Sequence, residues 1–245
     1  MNTIILLAEK LIDINSGEST FSNNFLEIDG IPRIQHIIEH HKELINFSDN
    51  VIFIINEKES NKYYTEDILK LLYPTGISVK VSDNTSGAVC SALLASEYID
   101  NDEPLVIVNG DIHLVGGISS EVTQLNELNI DGGIIVFDSI SPKYSFVKLN
   151  KKNEVIETSE KHPISKLATV GVYYYGKGKY FVKASKSMIM KNDSLEDKFY
   201  ICPTYNQMIL ESLIIKTIKV KADRYFPLKS KENINKLMEA SRGHE

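Results

Sequence analysis

The run Val108-Asn109-Gly110-Asp111-Ile112-His113 puts a carboxylate at the end of an aliphatic stretch. An aspartate where a strand stops can coordinate Mg2+, and the ion then bridges phosphate oxygens. Gly110 lets the backbone approach a ligand closely. The same residues also make a plain Asn-Gly-Asp turn that holds nothing. His113 reads in two ways as well: a second ligand or sugar contact, or a hydrogen-bonded surface histidine. A second stretch, Asp83-Asn84-Thr85-Ser86-Gly87-Ala88, sets small residues where a strand gives way to a helix. Free N–H groups at such a helix start favour phosphate or base carbonyl groups. The alternative is an ordinary helix capped by Thr85 or Ser86.

Such side chains act together only if a sheet holds them at one edge. Short β-branched runs over 4–8, 51–56, 77–81 and 105–109 read as strands, most of them apolar on both faces. Continuous apolar runs belong to parallel strands covered by helices on both sides. Residues 32–44, 65–72 and 86–99 show the three-and-four spacing of helices, with Pro32 suited to a first turn. This alternation predicts right-handed crossovers in a doubly wound sheet. Strands over 132–137, 144–149, 154–158 and 167–175 follow with little helix between them, and Asn150-Lys151-Lys152-Asn153 reads as a hairpin turn. Helices over 180–190 and 205–213, a strand over 214–221 and a last helix from Glu232 complete the pattern. The expected architecture is an α/β, Rossmann-like domain whose mixed, mostly parallel sheet is flanked by helices and turns more antiparallel in its second half. Ligands of open α/β sheets bind outside the carboxyl ends of the strands. That rule selects residues from Glu9 on, 82–87 and 110–113.

A net charge of −6 argues against a general nucleic-acid binder, which needs a basic face. A few local donors still suit a small anionic ligand. The only arginines are Arg33, Arg224 and Arg242. Cys90 and Cys202 lack metal-ligand spacing and read as buried free thiols in a reducing compartment. The opening apolar run is too short for a signal peptide, and no run approaches the roughly 18 residues of a membrane span. A cytoplasmic protein without membrane contact is expected.

Taken in order, Thr85-Ser86-Gly87-Ala88, Asn109-Gly110-Asp111, Tyr144-Ser145-Phe146-Val147, Glu157-Thr158-Ser159-Glu160-Lys161-His162-Pro163 and Ala168-Thr169-Val170-Gly171-Val172-Tyr173-Tyr174-Tyr175 resemble one family. It is that of the sugar-phosphate nucleotidyltransferases (nucleotide-sugar pyrophosphorylases), particularly the short forms found with capsule and surface-polysaccharide genes. Leu26-Glu27-Ile28-Asp29-Gly30-Ile31-Pro32, Tyr200-Ile201-Cys202-Pro203-Thr204-Tyr205-Asn206 and Phe226-Pro227-Leu228 look like the same branch. The resemblance spans nearly the whole chain. It implies a GT-A-like single domain over 1–245, with a nucleotide-binding half over about 1–130 and an acceptor half over about 131–240. It also implies a reaction in which a phosphorylated sugar or metabolite attacks the α-phosphorus of a nucleoside triphosphate and releases pyrophosphate. Cytidine is the base that short members often use, Mg2+ is the implied cofactor, and a homodimer is a common arrangement.

Carried over residue by residue, Asp111 matches the metal-binding aspartate, and Asp111 with Lys161 forms the implied catalytic set. Thr85, Ser86 and Gly87 match the base-contacting loop, joined on the nucleotide side by Ala8, Lys10, Asn109 and Gly110. Glu160 and Lys161 match the pair that meets the sugar and its phosphate; the other reading of that pair is a solvated hairpin edge. Gly171 matches a glycine of the sugar pocket, and His113, Tyr144 and Asn206 join the substrate side.

The match fails at the start. Family members open with a glycine-rich loop carrying an arginine, then a Pro-Lys pair. Here residues 8–21 hold one glycine and no arginine, and Ser22 and Asn23 stand at the proline and lysine positions. Each lost charge-assisted bond to a triphosphate is worth roughly 1.5–3 kcal/mol. Glu9, Asp13 and Glu18 repel phosphates, and Lys10 restores one charge. The family's second metal-binding aspartate, expected near 200–206, is missing, with Asn206 and Asp197 the nearest substitutes. Three readings follow. One is an active nucleotidyltransferase with an altered triphosphate loop. Another is an inactive member that binds ligands or a partner. The last is a GT-A glycosyltransferase that takes a nucleotide sugar, with Asp111-Ile112-His113 as its metal motif.

Overall fold

The structure is a computed structural model that describes residues 1–9, 12–13 and 20–242. Lys10 and Glu18 lie outside the described residues. Strands β1 (Asn2–Leu6), β2 (Asn50–Asn56), β3 (Ile77–Val81) and β4 (Leu105–Asn109) run parallel in the order β4-β1-β2-β3. Successive strand side chains point to opposite faces. On one face Ile4, Ile52, Ile54 and Ile107 enter a core with the helices that follow β3. On the other, Ile5, Phe53, Ile55, Val106 and Val108 enter two further cores. Both faces are buried, which is why these strands read as unbroken aliphatic runs.

The second half adds β5 (Gly132–Asp138), β6 (Ser145–Leu149), β7 (Val155–Glu160), β8 (Leu167–Tyr175) and β9 (Ile215–Lys219). Strand β8 joins the halves: its end pairs antiparallel with β4, its start with β6, and its other edge with β5. The result is one nine-stranded mixed sheet. The β6–β7 hairpin turns at 150–153, where Asn153 takes φ +59° and donates its N–H to the Asn150 carbonyl at 3.1 Å. Helix α1 (Arg33–His40) covers one face, whereas α2 (Ala88–Leu93), α3 (Gly178–Met190) and α4 (Thr204–Leu210) cover the other. Helix α5 (Lys231–Arg242) closes the described chain. Among the described residues no helix is long and apolar enough to cross a membrane. Both cysteines are free, and Cys202 is buried.

Two expected helices are each broken in two. The helix expected over 32–44 stops at His41 and resumes as Lys42–Asn46, with Pro32 just ahead of it rather than inside its first turn. The one expected over 86–99 divides into α2 and Ser96–Ile99. Helix α2 starts after Gly87, not at a Thr85 or Ser86 cap, and a tertiary contact satisfies one donor of its first turn. Val89 N–H donates to the Phe199 carbonyl at 3.1 Å, and Phe199 N–H donates to the Ser86 carbonyl at 2.8 Å.

Arg33 opens α1 fully buried. A charge removed from water has to be met by acceptors. Its Nη2 donates to Glu9 Oε1 at 2.8 Å and Asn24 Oδ1 at 2.9 Å, and its Nη1 donates to the Leu228 carbonyl at 3.0 Å. Asn24 in turn donates to the Leu7 carbonyl and to the buried Glu59 carboxylate, both at 2.9 Å. One guanidinium thus fastens the exit of β1, the 3-10 turn Asn23–Phe25 and the segment before α5.

Another face of α1 carries histidines. His36 Nε2 and His113 Nδ1 lie 3.0 Å apart, and His40 stacks on His113 with ring centres 3.9 Å apart. His41 is buried, and among the described residues neither ring nitrogen has a hydrogen-bond partner. Burial and mutual repulsion push His40 down to about 4, His113 to about 3 and His41 well below its usual range. Burial also lowers His36, against Asp29 and Glu39.

Arg33→Met should cost about 2–4 kcal/mol, because Glu9, Asn24 and Leu228 lose their shared donor. Urea unfolding measures it, and an unchanged midpoint would refute the role given to Arg33. The histidines give a second test. Their folded-state affinity for protons is depressed, so the unfolded chain binds more protons as pH drops below the free-histidine range. Stability is therefore full above about pH 6.5 and should fall by about 2–4 kcal/mol by pH 5, with the loss smaller in His40→Gln. An equal acid loss in that variant would clear the cluster of responsibility.

Candidate active site

Two cavities open outside the carboxyl ends of the parallel strands, where ligands of such sheets bind. The first follows β4. Gly110 donates its N–H to the Leu6 carbonyl at 2.8 Å, and a Cβ on it would stand 2.5 Å from that same oxygen. Only glycine lets the chain pass so close to β1 and turn, which leaves Asp111 buried at the cavity wall. Asn109, Asp111, Tyr144, Glu160 and Gly171 all line this space of 170 Å³. Five residues from four separate sequence segments therefore share one space.

The cavity also contains lysines that the sequence reading did not single out. Lys143 lines it, and Lys229 Nζ lies 3.1 Å from Asp111 Oδ2. Asp111 beside it holds the Lys229 ammonium above the usual lysine range. Opposite them, Ser145 Oγ donates to Glu160 Oε2. Burial raises the Glu160 carboxyl, with Ser145, Lys161 and Lys229 pulling it back. Tyr225 forms part of the wall, its phenol pushed far up by burial.

The second cavity, of 230 Å³, lies at the ends of β1, β2 and β3 and is lined by Leu6, Ala8, Asn56, Thr85, Gly87 and Ser91 among others. Gly87 takes φ +98°, and a Cβ there would meet the Phe199 carbonyl oxygen at 2.6 Å. No other residue fits the junction. Ser86 serves through its carbonyl, which Phe199 uses, rather than through its side chain. Ala88 belongs to both cavities and forms their shared wall.

Other implied site residues point elsewhere. Lys161 ends the hairpin at φ +56°; its backbone N–H donates to the Tyr144 carbonyl at 3.1 Å, while Nζ lies 5.3 Å over the Tyr200 ring and 3.4 Å from Glu196. Asn206 spends its amide on the Thr158 backbone, at 2.8 and 2.9 Å, and lines a separate cavity behind Glu160. His113 joins the histidine cluster and lines a cleft of 840 Å³ with His40 and Arg224, so it and Asp111 face different spaces.

Divalent metal suits Asp111 poorly. An ion about 2 Å from the Asp111 carboxylate would sit beside the Lys229 ammonium, where repulsion costs several kcal/mol. The residues present do not fit Mg2+, and no step below passes through it.

No protein-family model matches the sequence, and no curated protein does. Solved structures do match. The nucleoside-diphosphate-sugar pyrophosphorylase from Vibrio cholerae RC9 aligns over 99% of this chain and 100% of its own, with a TM-score of 0.80 at 19% identity. UDP-glucose pyrophosphorylase complexed with UDP-glucose aligns over 99% and 97%, with a TM-score of 0.73 at 15% identity. The inositol-1-phosphate CTP transferase from T. maritima aligns over 99% and 96%, with a TM-score of 0.71 at 16% identity. What this chain shares with them is the fold, a single-domain α/β architecture with a mixed, mostly parallel sheet flanked by helices.

Proposed function

We propose that the chain is a nucleotidyltransferase that moves a nucleoside monophosphate from a triphosphate to a phosphorylated sugar or related metabolite. The observation that supports this most is the pair of cavities meeting at Ala88. One is bordered by the Gly87 junction and suits a nucleoside; the other holds Asp111, Glu160, Lys143 and Lys229 and suits a phosphorylated polyol. Where they meet, an oxygen of the acceptor phosphate attacks the α-phosphorus as the bond to the β-phosphate oxygen breaks, and pyrophosphate leaves. This chemistry asks the protein for alignment and charge neutralisation. Glu160 accepts from sugar hydroxyls, and the two lysines face phosphate. Cytidine is the base that the sequence resemblance suggests, while the structural neighbours name both CTP and UDP-glucose. An acceptor from surface-polysaccharide precursor synthesis fits the sequence resemblance.

A second reading, a ligand-binding protein without turnover, draws on Arg33. The arginine nearest the altered opening loop is fully buried and held by Glu9, so it neutralises no phosphate. The glycosyltransferase reading is weaker, because Asp111 and His113 line different cavities and cannot act as one metal motif.

Pyrophosphate release should be measured with each of the four triphosphates against a panel of sugar 1-phosphates. One pair is expected to turn over, with a loss of about 100-fold or more in Asp111→Asn or Glu160→Gln. If no pair reacts while calorimetry still registers nucleotide or sugar phosphate, the binding reading replaces this one.

A further inference from the structure

Asp111 faces an ammonium whose place is set by the backbone. The short strand Tyr225–Pro227 pairs antiparallel with Ile112–Leu114, so Pro227 lies opposite Ile112. The next residue is held from both sides: Leu228 N–H donates to the Asp111 carbonyl at 2.6 Å, and the Leu228 carbonyl accepts from Arg33 at 3.0 Å. Residue 229 therefore cannot drift away from residue 111. Its Nζ reaches Asp111 Oδ2 at 3.1 Å, its side chain is 63% exposed, and the residue lines the cavity. An ammonium has three donors, and Asp111 takes one. Lysine is a compact point charge well suited to phosphate.

From this geometry we infer that Lys229 is a tethered cation that takes the place of a divalent ion at Asp111 and binds the ligand's phosphate directly, so that phosphate recognition here is independent of metal. Asp111 in this arrangement is a positioning residue that aims the ammonium. The inference rests on the reading of this cavity as the phosphate-acceptor side, and it names the group that does the recognising. Lys143, on the same wall, adds a second positive charge.

Calorimetry with Mg2+ alone and with inorganic phosphate alone tests it without any need for turnover. The unmodified protein should take up no Mg2+ at this site and should bind phosphate equally with EDTA or with Mg2+ present. Lys229→Ala should weaken phosphate binding at least tenfold, and its thermal melt, matched to the parent, shows that folding is intact. Lys229→Asp should gain Mg2+ binding, and adding Asp111→Asn to it should abolish the gain. Uptake of Mg2+ by the unmodified protein that disappears in Asp111→Asn overturns the inference. So does phosphate that fails to bind, or that binds Lys229→Ala as well as the parent. If these results come out as expected and no triphosphate reacts, nucleotidyl transfer falls while the role of Lys229 stands.

Discussion

A guanidinium without water around it dictates its surroundings, and Arg33 does so at the point where both ends of the chain meet the sheet. Its acceptors come from the exit of β1, from the turn before α1 and from the segment before α5. Each of those pieces is short and would have little reason to stay put by itself. The Leu228 carbonyl bonded to Arg33 also fixes the residue after it, which is Lys229. The positive charge in the cavity is thus set by a second positive charge that never sees the ligand. The same arrangement uses Glu9 as the counter-ion, so an acid that would repel phosphates is partly neutralised from behind.

Much of the fold was legible because burial on both faces writes itself into composition. The edges expected for β3, β4 and β8 coincide with those observed, since aliphatic runs stop where the sheet stops. The break at His41 and the late start of α2 after Gly87 were not legible. The start of α2 depends on a partner distant in sequence, the Phe199 backbone, and the turn at His41 has no Pro or Gly to mark it. Helix spacing continues through such points, and nothing local marks the interruption.

The cavity divides along the same line. Asp111, Glu160, Tyr144, Asn109 and Gly171 came from ordered segments resembling a family, and they do line one space. Lys161 directly follows Glu160 yet leaves the cavity, because neighbours on a strand point to opposite sides and the backbone turns left-handed there. Lys229 was not legible in the sequence because two three-residue strands bring it in, and three residues carry no periodicity. A fold shared at 15–19% identity makes the same point. Cores tolerate exchange of one aliphatic residue for another when volume and pattern are kept. Individual charges in a pocket have no such latitude.

The wall between the two cavities has a use of its own. Ala88 borders both spaces, and residues 198–200 contribute Lys198 to the cavity at Gly87 and Tyr200 to the one at Asp111. A compound with two linked fragments, one for each cavity, passes Ala88 in going from one to the other. Joining two weak fragments through a linker that fits the span turns the second binding event into an intramolecular one. For inhibitor design, the shared border at Ala88 makes the two chambers one target.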